Sequence, residues 1–258
     1  MRNYLIFFRK EAMEFIRTQR FIGLFGAFVF FAVVSPLLAR FMLEFIQAIV
    51  PAEELAMLAD LPEPVWIDSY IQFYGNITQL IALAIVILFM GTITSEKKQG
   101  TADLMFMKGL GHSSFVLAKF SLMLAAIVLA MLVSSAIVYG LTLLLFDTAG
   151  EIANILGATS LSALFLIWLV SIVVFCSALA KSSAISALLS FGLFIFFMSI
   201  GAIPRLGDFL PGSLVNQGLE IIHIGSSDGV FGTVLVAIGL IVAFLGLAII
   251  LLKRREKE

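Results

Sequence analysis

Residues 152–180 read IANILGATSLSALFLIWLVSIVVFCSALA, a run of 29 residues without an Asp, Glu, Lys or Arg. A helix rises 1.5 Å per residue, so about 20 apolar residues cross the roughly 30 Å hydrocarbon core of a bilayer. A helix also satisfies its own backbone hydrogen bonds, for which hydrocarbon offers no replacement. The stretch therefore predicts a transmembrane helix.

Five further windows have the same character. They carry no charged side chain and cover residues 21–39, 69–95, 120–146, 182–204 and 229–252. Of the 258 residues, 61% are hydrophobic and 13% are charged, whereas a typical soluble domain has about 25% charged residues. The mean hydropathy is +1.12, and a membrane barrel would show short alternating segments instead. We expect an all-α integral membrane protein, one transmembrane domain over residues 1–258. Its spans are predicted at about residues 21–39, 76–95, 119–146, 154–180, 183–204 and 229–252.

The charged residues divide unevenly between the loops. With both termini on one side of the membrane, that side holds 14 of the 16 Lys and Arg residues and 6 of the 17 acidic ones. The formal net charge of −1 thus separates into +8 on that side and −9 on the other. Basic residues favour cytoplasmic loops, so both termini are predicted in the cytoplasm. A chain without net basic charge is also unsuited to a nucleic-acid partner.

Residues 2–20 precede the first span and predict an amphipathic helix. At 100° per residue, one sector of about 120° collects its apolar side chains, namely Tyr4, Leu5, Phe8, Ala12, Phe15 and Ile16. Arg and Lys residues occupy the neighbouring sector, as in helices that lie among anionic headgroups at a membrane surface. The alternative is a positively charged tail.

The loop after the second span reads SEKKQGTADLMFMKGLGH over residues 95–112. Thr101 is predicted to N-cap a short helix that Gly109 and Gly111 end. Apolar side chains on a charged loop favour docking into the groove of a partner, and an ordinary solvated loop is the alternative. His112 has no carboxylate or second histidine beside it in sequence, so we expect it to be solvated rather than catalytic.

Two segments on the opposite side lie close to the membrane surface. Four aromatic residues stand at or just before the second span and are typical of an interfacial belt: Trp66, Tyr70, Phe73 and Tyr74. Residues 205–228 mix helix breakers with apolar side chains, and irregular backbone at membrane depth must be covered by protein or face a water-filled cavity. We expect short re-entrant helices there, with His223 in a capping or interfacial role. The single cysteine, Cys176, excludes an internal disulfide and is predicted to be a buried hydrophobe.

One pattern in the loop carries a family resemblance. Glu96-x-x-x-Gly100-Thr101-x-Asp103-Leu104 is followed by Lys108 and then by residues 115–120, FVLAKF. With the amphipathic leading helix, six spans and a broken segment before the last span, this resembles the type-2 ABC exporter permeases. Two positions depart from that family: residues 109–111 read GLG where Pro-x-Ser is common, and an Asp stands at 103 where Glu is common.

The resemblance implies how the parts work together. Residues 2–20 would be an elbow helix, and roughly 98–110 a coupling helix within a coupling loop at 96–118. That loop would touch a separate ABC ATPase subunit on the cytoplasmic face. The coupling residues would be Glu96, Gly100, Thr101, Asp103, Leu104 and Lys108. ATP and Mg²⁺ would be bound by the ATPase, so this chain is expected to hold no cofactor, metal or catalytic residue.

The resemblance also implies a second permease copy or a paralogue, with a path between the first, second and fifth spans. Candidate lining residues are small hydroxyl side chains: Ser35, Thr78, Thr92, Ser186, Ser190 and Ser199. Such a lining suits hydrophobic or amphipathic cargo, with a lipophilic drug or an amphipathic peptide as first candidates.

Other functions are weakened by motifs that the sequence lacks. It contains no G-x-x-x-x-G-K-[ST] phosphate loop and no H-E-x-x-H zinc motif. A secondary carrier or channel remains an alternative, but secondary carriers generally keep an Asp, Glu, Arg or His within the membrane, and no window has one. A membrane enzyme or anchoring scaffold is the third candidate, without a catalytic constellation to support it.

Overall fold

A computed structural model describes residues 2–49, 62–203, 207–226 and 228–255. Within these residues the chain is all-helical, with 87% helix and no strand, and six helices are long and apolar enough to cross a membrane. The predicted fold class is therefore confirmed. Large apolar side chains such as Leu144, Leu188 and Phe231 are more than three-quarters exposed, as expected of surfaces that face lipid rather than water.

The helices follow the predicted order, and every span is longer than predicted except the fifth, which was predicted at 183–204 and ends at Gly201. The leading helix α1 covers Arg2–Arg17, and the first span α2 covers Gln19–Ile49. The second span consists of α3 (Trp66–Asn76), a π-helical turn (Ile77–Ile81), α4 (Ala82–Phe89) and, at its end, α5 (Thr94–Lys98). The short helix α6 covers Thr101–Met107, followed by the third span α7 (His112–Phe146) and the fourth span α8 (Ile152–Leu179). The fifth span is α9 (Ser183–Gly201), and the sixth is α11 (Val230–Arg255).

The two ends of this bundle differ in charge. We call the end that holds α1, α5 and α6 the basic end, and the end that holds residues 62–65, 147–151, 207–226 and 228–229 the acidic end. At the acidic end, two 3₁₀ turns (Gly207–Phe209 and Pro211–Ser213) and the helix α10 (Leu214–Ile224) occupy the segment expected to hold short re-entrant helices. Residues 204–206 and 227 of that predicted segment lie outside the described residues. His223 is exposed in the last turn of α10.

The fourth span lies at the centre of the bundle. It packs against the second, third, fifth and sixth spans and against α10, whereas the first span packs mainly on the second and third. Phe165 and Trp168 are completely buried, and Cys176 is buried as predicted. Small Ala, Ser and Thr residues along α8 let neighbouring helices approach closely. The charge-free run at 152–180 thus forms the core of the fold.

The aromatic residues at the start of the second span do not form an interfacial belt. Helix α3 begins at Trp66, and Tyr70, Phe73 and Tyr74 are at most 1% exposed. The Tyr70 hydroxyl donates to a backbone carbonyl 2.9 Å away, and the Tyr74 hydroxyl lies 3.2 Å from that of Thr159. The belt prediction is therefore wrong for these three rings. The two tyrosine hydroxyls find partners inside the bundle, so those rings can be buried without an unsatisfied group, and Phe73 has no polar atom to satisfy.

Gly150 allows the turn between the third and fourth spans. Its φ is +78°, and an added Cβ would lie 2.7 Å from the Trp66 ring. The left-handed conformation alone costs a non-glycine residue about 1–2 kcal/mol, and the overlap adds to that cost. We expect Gly150→Ala to lower stability by at least about 2 kcal/mol, seen as a lower melting temperature in detergent. Gly140→Ala is the control, since its Cβ would meet no atom within 4 Å, and equal melting temperatures would contradict the prediction.

Candidate functional site

The connection between the second and third spans forms two short helices joined by a left-handed glycine. Gly100 has φ +69° and directly precedes α6. Thr101 was expected to be the N-cap, but it is the first helical residue, and its hydroxyl donates to the Glu96 carbonyl at 3.2 Å. The predicted N-cap therefore lies one residue too late in the chain, because Gly100 can take the left-handed conformation that the turn needs.

The end of α6 agrees with the predicted glycine stop. The Gly109 amide donates to the Phe106 carbonyl at 2.9 Å, and the Leu110 amide donates to the Met105 carbonyl at 3.1 Å. Gly109 has φ +85°. This pair of hydrogen bonds is the Schellman arrangement, which satisfies free carbonyls at a helix end. The direction of α6 is therefore fixed by a glycine at each end.

One face of α6 is exposed and mixed in character. Leu104 is 55% exposed and Met107 is 78% exposed, and Asp103 and Lys108 are also exposed. Ala102, by contrast, is completely buried and attaches the helix to the protein. Exposed apolar side chains rimmed by charges are typical of a contact surface for another protein. We call Asp103, Leu104, Met107 and Lys108 the α6 face.

His112 does not have the solvated position that its sequence neighbours suggest. It is half-buried, and its ring stacks on Phe106 with 4.3 Å between centroids. Phe106 also packs edge-on against Phe115, 5.2 Å away. The prediction of a solvated side chain is wrong, because the turn after α6 folds the start of the third span back against that helix. His112 thus helps to hold α6 in place.

The loop is also attached to the end of the fourth span. The Ser177 hydroxyl accepts hydrogen bonds from the Ile93 and Thr94 amides, both at 3.0 Å. The Lys97 ammonium donates to the carbonyls of Ala178 and Ala180 at 2.6 and 3.1 Å. A cation at the last carbonyls of a helix is favoured by the unsatisfied oxygens and by the helix dipole. The end of the second span is therefore hydrogen-bonded directly to the central helix.

A buried charge cluster joins this loop to α1 and to the third span. The Lys119 Nζ lies 2.8 Å from Glu11 Oε2 and 2.9 Å from Glu96 Oε1. These three residues are only 3%, 7% and 8% exposed. Such charges are tolerated in a protein interior only when they are paired and hydrogen-bonded. We call Glu11, Glu96 and Lys119 the charge cluster.

Two more residues extend the cluster toward the surface. Lys10 Nζ lies 2.9 Å from Glu14 Oε2, 3.1 Å from Glu11 Oε1 and 3.6 Å from Glu96 Oε1. Burial by itself lowers the pKa of Lys10, but the Glu14, Glu11 and Glu96 carboxylates outweigh it and raise that pKa. Burial by itself raises the pKa of the Glu14 carboxyl. The Lys10 ammonium has the opposite effect, and the pKa of Glu14 lies below its usual value. Both side chains are close to half exposed, so this outer pair adds little stability.

Three carboxylates of this region could in principle hold a cation. Oxygens of Glu11, Glu14 and Glu96 lie within 4.8 Å of one another beside a cavity of about 410 Å³. Lys10 and Lys119 already form ion pairs with all three of these residues. The arrangement thus has the chemistry of an ion-pair network within the chain rather than that of a metal centre. It holds helices together rather than presenting a reactive group.

The sequence pattern missed the charge cluster, although a signal was present. Phe7, Glu11 and Phe15 recur at intervals of four residues, so they share one face of α1, and all three are buried. A carboxylate on an apolar helix face predicts that a cation is buried beside it. Lys119 is that cation, and it lies within the third span two turns from its start, so this span extends beyond the charge-free window 120–146 and contains a charge.

The predicted α1 sector is only partly correct. Phe15 from that sector is buried, but Leu5 and Ile16 are each 63% exposed. The face toward the bundle is shifted to include Phe7 and Glu11. The exposed apolar side chains are free to contact lipid, as an interfacial helix requires.

The structure does not gather the candidate path residues into one accessible surface. Ser35, Thr92, Ser186 and Ser190 are at most 5% exposed, Thr78 is half-buried, and Ser199 is exposed. Ser35 accepts a hydrogen bond from the Asn76 amide at 3.1 Å, and Ser190 donates to the Ser186 carbonyl at 2.7 Å. A side chain that lines a path must be accessible to cargo, so helix packing accounts better for the four buried hydroxyls. The role of Thr78 and Ser199 stays a prediction.

Comparison with known proteins gives one family. A family model described as "ABC-2 family transporter protein" matches residues 5–257, which is nearly the whole chain. No curated protein matches the sequence.

Proposed function

Because the chain belongs to the ABC-2 family of transporter proteins, a family of membrane permeases, we propose that it is the permease subunit of an exporter driven by a separate ATPase. The observation that carries this proposal is the α6 face. Its side chains are exposed, while the opposite side of α6 is attached to the protein. A rigid exposed helix at the end of a membrane bundle is suited to receive a mechanical input. ATP and Mg²⁺ would be bound by the partner.

Within this proposal, the six coupling residues have different tasks. Asp103, Leu104 and Lys108 are exposed and would touch the ATPase. Glu96 is buried against Lys119, so it would act as a positioning residue that links the loop to α1 and the third span. Gly100 and Thr101 set the direction of α6. Closure of two ATPase subunits on ATP would then move α5 and α6 together with the helices to which they are attached.

The proposed orientation follows the charge distribution. The basic end, with both termini, would lie in the cytoplasm, since Lys and Arg favour that side. The α6 face would then be on the side where ATP is available. The acidic end would face out of the cell, in the direction of proposed export.

A second permease copy or a paralogue would complete the transporter. The fifth span is the least covered of the six, with Leu188 76% exposed, Ile195 52% and Phe196 56%. Lipid can cover such a face, but so can a second subunit, and a path for cargo requires two facing surfaces. The apolar character of this face supports hydrophobic or amphipathic cargo, with a lipophilic drug or an amphipathic peptide as first candidates.

Co-purification tests the partner directly. The chain, extracted in mild detergent from the cells that make it naturally, is expected to carry a soluble ATPase with a phosphate-binding loop. Reconstituted vesicles should then show ATP hydrolysis that depends on both subunits. Repeated isolation of the chain without any ATPase would contradict the proposal and favour a secondary carrier or channel.

Gly100→Ala tests the mechanical link. The substitution places a side chain at φ +69°, which costs about 1–2 kcal/mol and turns α6 away from its present direction. We expect transport per ATP hydrolysed to fall at least about tenfold while the chain still inserts into the membrane. Gly111→Ala is the matched control, because Gly111 has φ −68° and its added Cβ would meet only Ser113 Oγ at 4.0 Å. Equal coupling in both variants would remove Gly100 from the mechanism.

A further inference from the structure

An open groove of about 700 Å³ lies at the basic end, between the start of the first span, the end of the second and the start of the fifth. Its polar side carries Arg20, Ser95 and Ser183, and its apolar side includes Ile22, Ile87 and Leu88. The first and fifth spans begin and the second span ends beside this groove, so we expect the groove to lie where headgroups meet acyl chains.

The polar side chains of the groove lie close to one another beside Gly91, which has no side chain of its own. A Cβ added to Gly91 would lie 3.2 Å from Ser183 Oγ, 3.7 Å from Ser95 Oγ and 3.8 Å from a guanidinium nitrogen of Arg20. The Ser95 hydroxyl already donates to the Gly91 carbonyl. The guanidinium and the Ser183 hydroxyl are thus the donors beside this open corner, and both favour an anionic oxygen.

Arg20 differs from the neighbouring cations in its pairing. Lys10 and Lys119 each contact carboxylates. Among the described residues, no carboxylate lies within 4.0 Å of the half-buried Arg20 guanidinium. Glu14 is close enough to interact electrostatically with Arg20, but it is held by Lys10 at 2.9 Å. Within the part of the chain that the structure describes, the Arg20 charge therefore has no carboxylate as a direct partner.

The apolar side of the groove continues onto the surface of the bundle. Ile22 is 69% exposed and Ile87 is 53% exposed. Both residues belong to helices that are long and apolar enough to span a membrane, so we expect these exposed side chains to face acyl chains. A ligand that fits the whole groove has an anionic head and an apolar tail.

We propose that this groove binds an anionic phospholipid, with its phosphate at Arg20 and Ser183 and an acyl chain along Ile22 and Ile87. A guanidinium forms paired hydrogen bonds with phosphate oxygens. Basic pockets between membrane helices on the cytoplasmic side are suited to anionic headgroups. The proposed site is separate from the α6 face and does not require an ATPase partner.

Lipid binding to the purified full-length chain tests the site. In neutral detergent, native mass spectrometry compares phosphatidylglycerol with phosphatidylcholine of identical acyl chains. We expect about tenfold tighter binding of phosphatidylglycerol, and Arg20→Gln is expected to abolish this preference. Arg17→Gln removes an equal charge from an exposed position in α1 and should keep the preference.

Gly91→Leu supplies a second variant that leaves the charge unchanged. It fills the polar corner, so phosphatidylglycerol binding is expected to fall by about tenfold, while the melting temperature reports whether the variant is folded. If Gly91→Leu does not fold, the comparison of Arg20→Gln with Arg17→Gln still decides whether the groove binds the anionic lipid.

Three results would each overturn the proposal. The first is unchanged phosphatidylglycerol preference in Arg20→Gln. The second is an equal loss of preference in Arg17→Gln, which would indicate attraction by surface charge alone. The third is displacement of the lipid by millimolar inorganic phosphate, which would indicate a site for free phosphate.

Discussion

Replacing Lys119 with Met is expected to lower the melting temperature of the chain in detergent by on the order of 10 °C. The substitution keeps the length of the side chain but removes the cation between Glu11 and Glu96. Lys10 would remain as the nearest cation for three carboxylates. Removing one partner of a buried ion pair typically costs about 3–5 kcal/mol, since the remaining charge is left without compensation.

A triple variant separates charge imbalance from general disruption. Lys119→Met combined with Glu11→Gln and Glu96→Gln removes all three charges of the cluster, so most of the lost stability should return. Lys108→Met is the control, because Lys108 is exposed and its charge is solvated. The charge cluster would lose its assigned role if the single Lys119 variant melted within about 2 °C of the unaltered chain.

Leu104→Glu combined with Met107→Glu is expected to abolish stable association with the ATPase. Both side chains are more than half exposed on α6, so the change should leave folding intact. Buried apolar side chains at the centre of an interface often contribute about 2 kcal/mol or more each. Two carboxylates in a desolvated contact would therefore weaken binding by at least about 100-fold.

Binding of the purified ATPase to the permease in lipid nanodiscs measures this effect. Ser113→Glu is the comparison, because Ser113 is exposed at the same end of the molecule and lies outside the α6 face. The melting temperature of each variant checks the fold. Association of the double variant at the same affinity as the unaltered chain would exclude the α6 face as the docking surface.

The spans and the end of α6 could be predicted because each depends on local chemistry. Charge-free runs mark the segments that can enter hydrocarbon, and Gly109 marks the place where a helix can reverse. The predicted bounds of the spans were less accurate. Residues 66–75 were expected to precede the second span, but their tyrosine hydroxyls are satisfied by neighbouring helices and the rings are drawn into the bundle. A prediction made one segment at a time does not include those partners.

The exposed residues of the candidate site could be predicted from the sequence, but the buried contacts beneath them could not. Leu104 and Lys108 belong to a contiguous motif, and the structure places both on an exposed face. Glu96 belongs to the same motif, yet its carboxylate points inward to Lys119. The hydroxyl residues predicted to line a path share only their side-chain chemistry, and most of them are enclosed by packing. Exposure depends on which helices are neighbours, and that information is not local.

The sequence by itself therefore determined the membrane class, the six spans and the division of charge between the two ends. Hydrocarbon imposes these properties on each segment independently, because it accepts neither charges nor unpaired backbone groups. Only the tertiary structure decided that Glu11 and Lys119, separated by 108 residues, form one ion pair. It also decided that Arg20 stands beside an open groove, where no carboxylate of the described residues lies within 4.0 Å of it. A charge is stabilised by whatever lies within a few ångströms of it, and the folding of distant helices sets that distance.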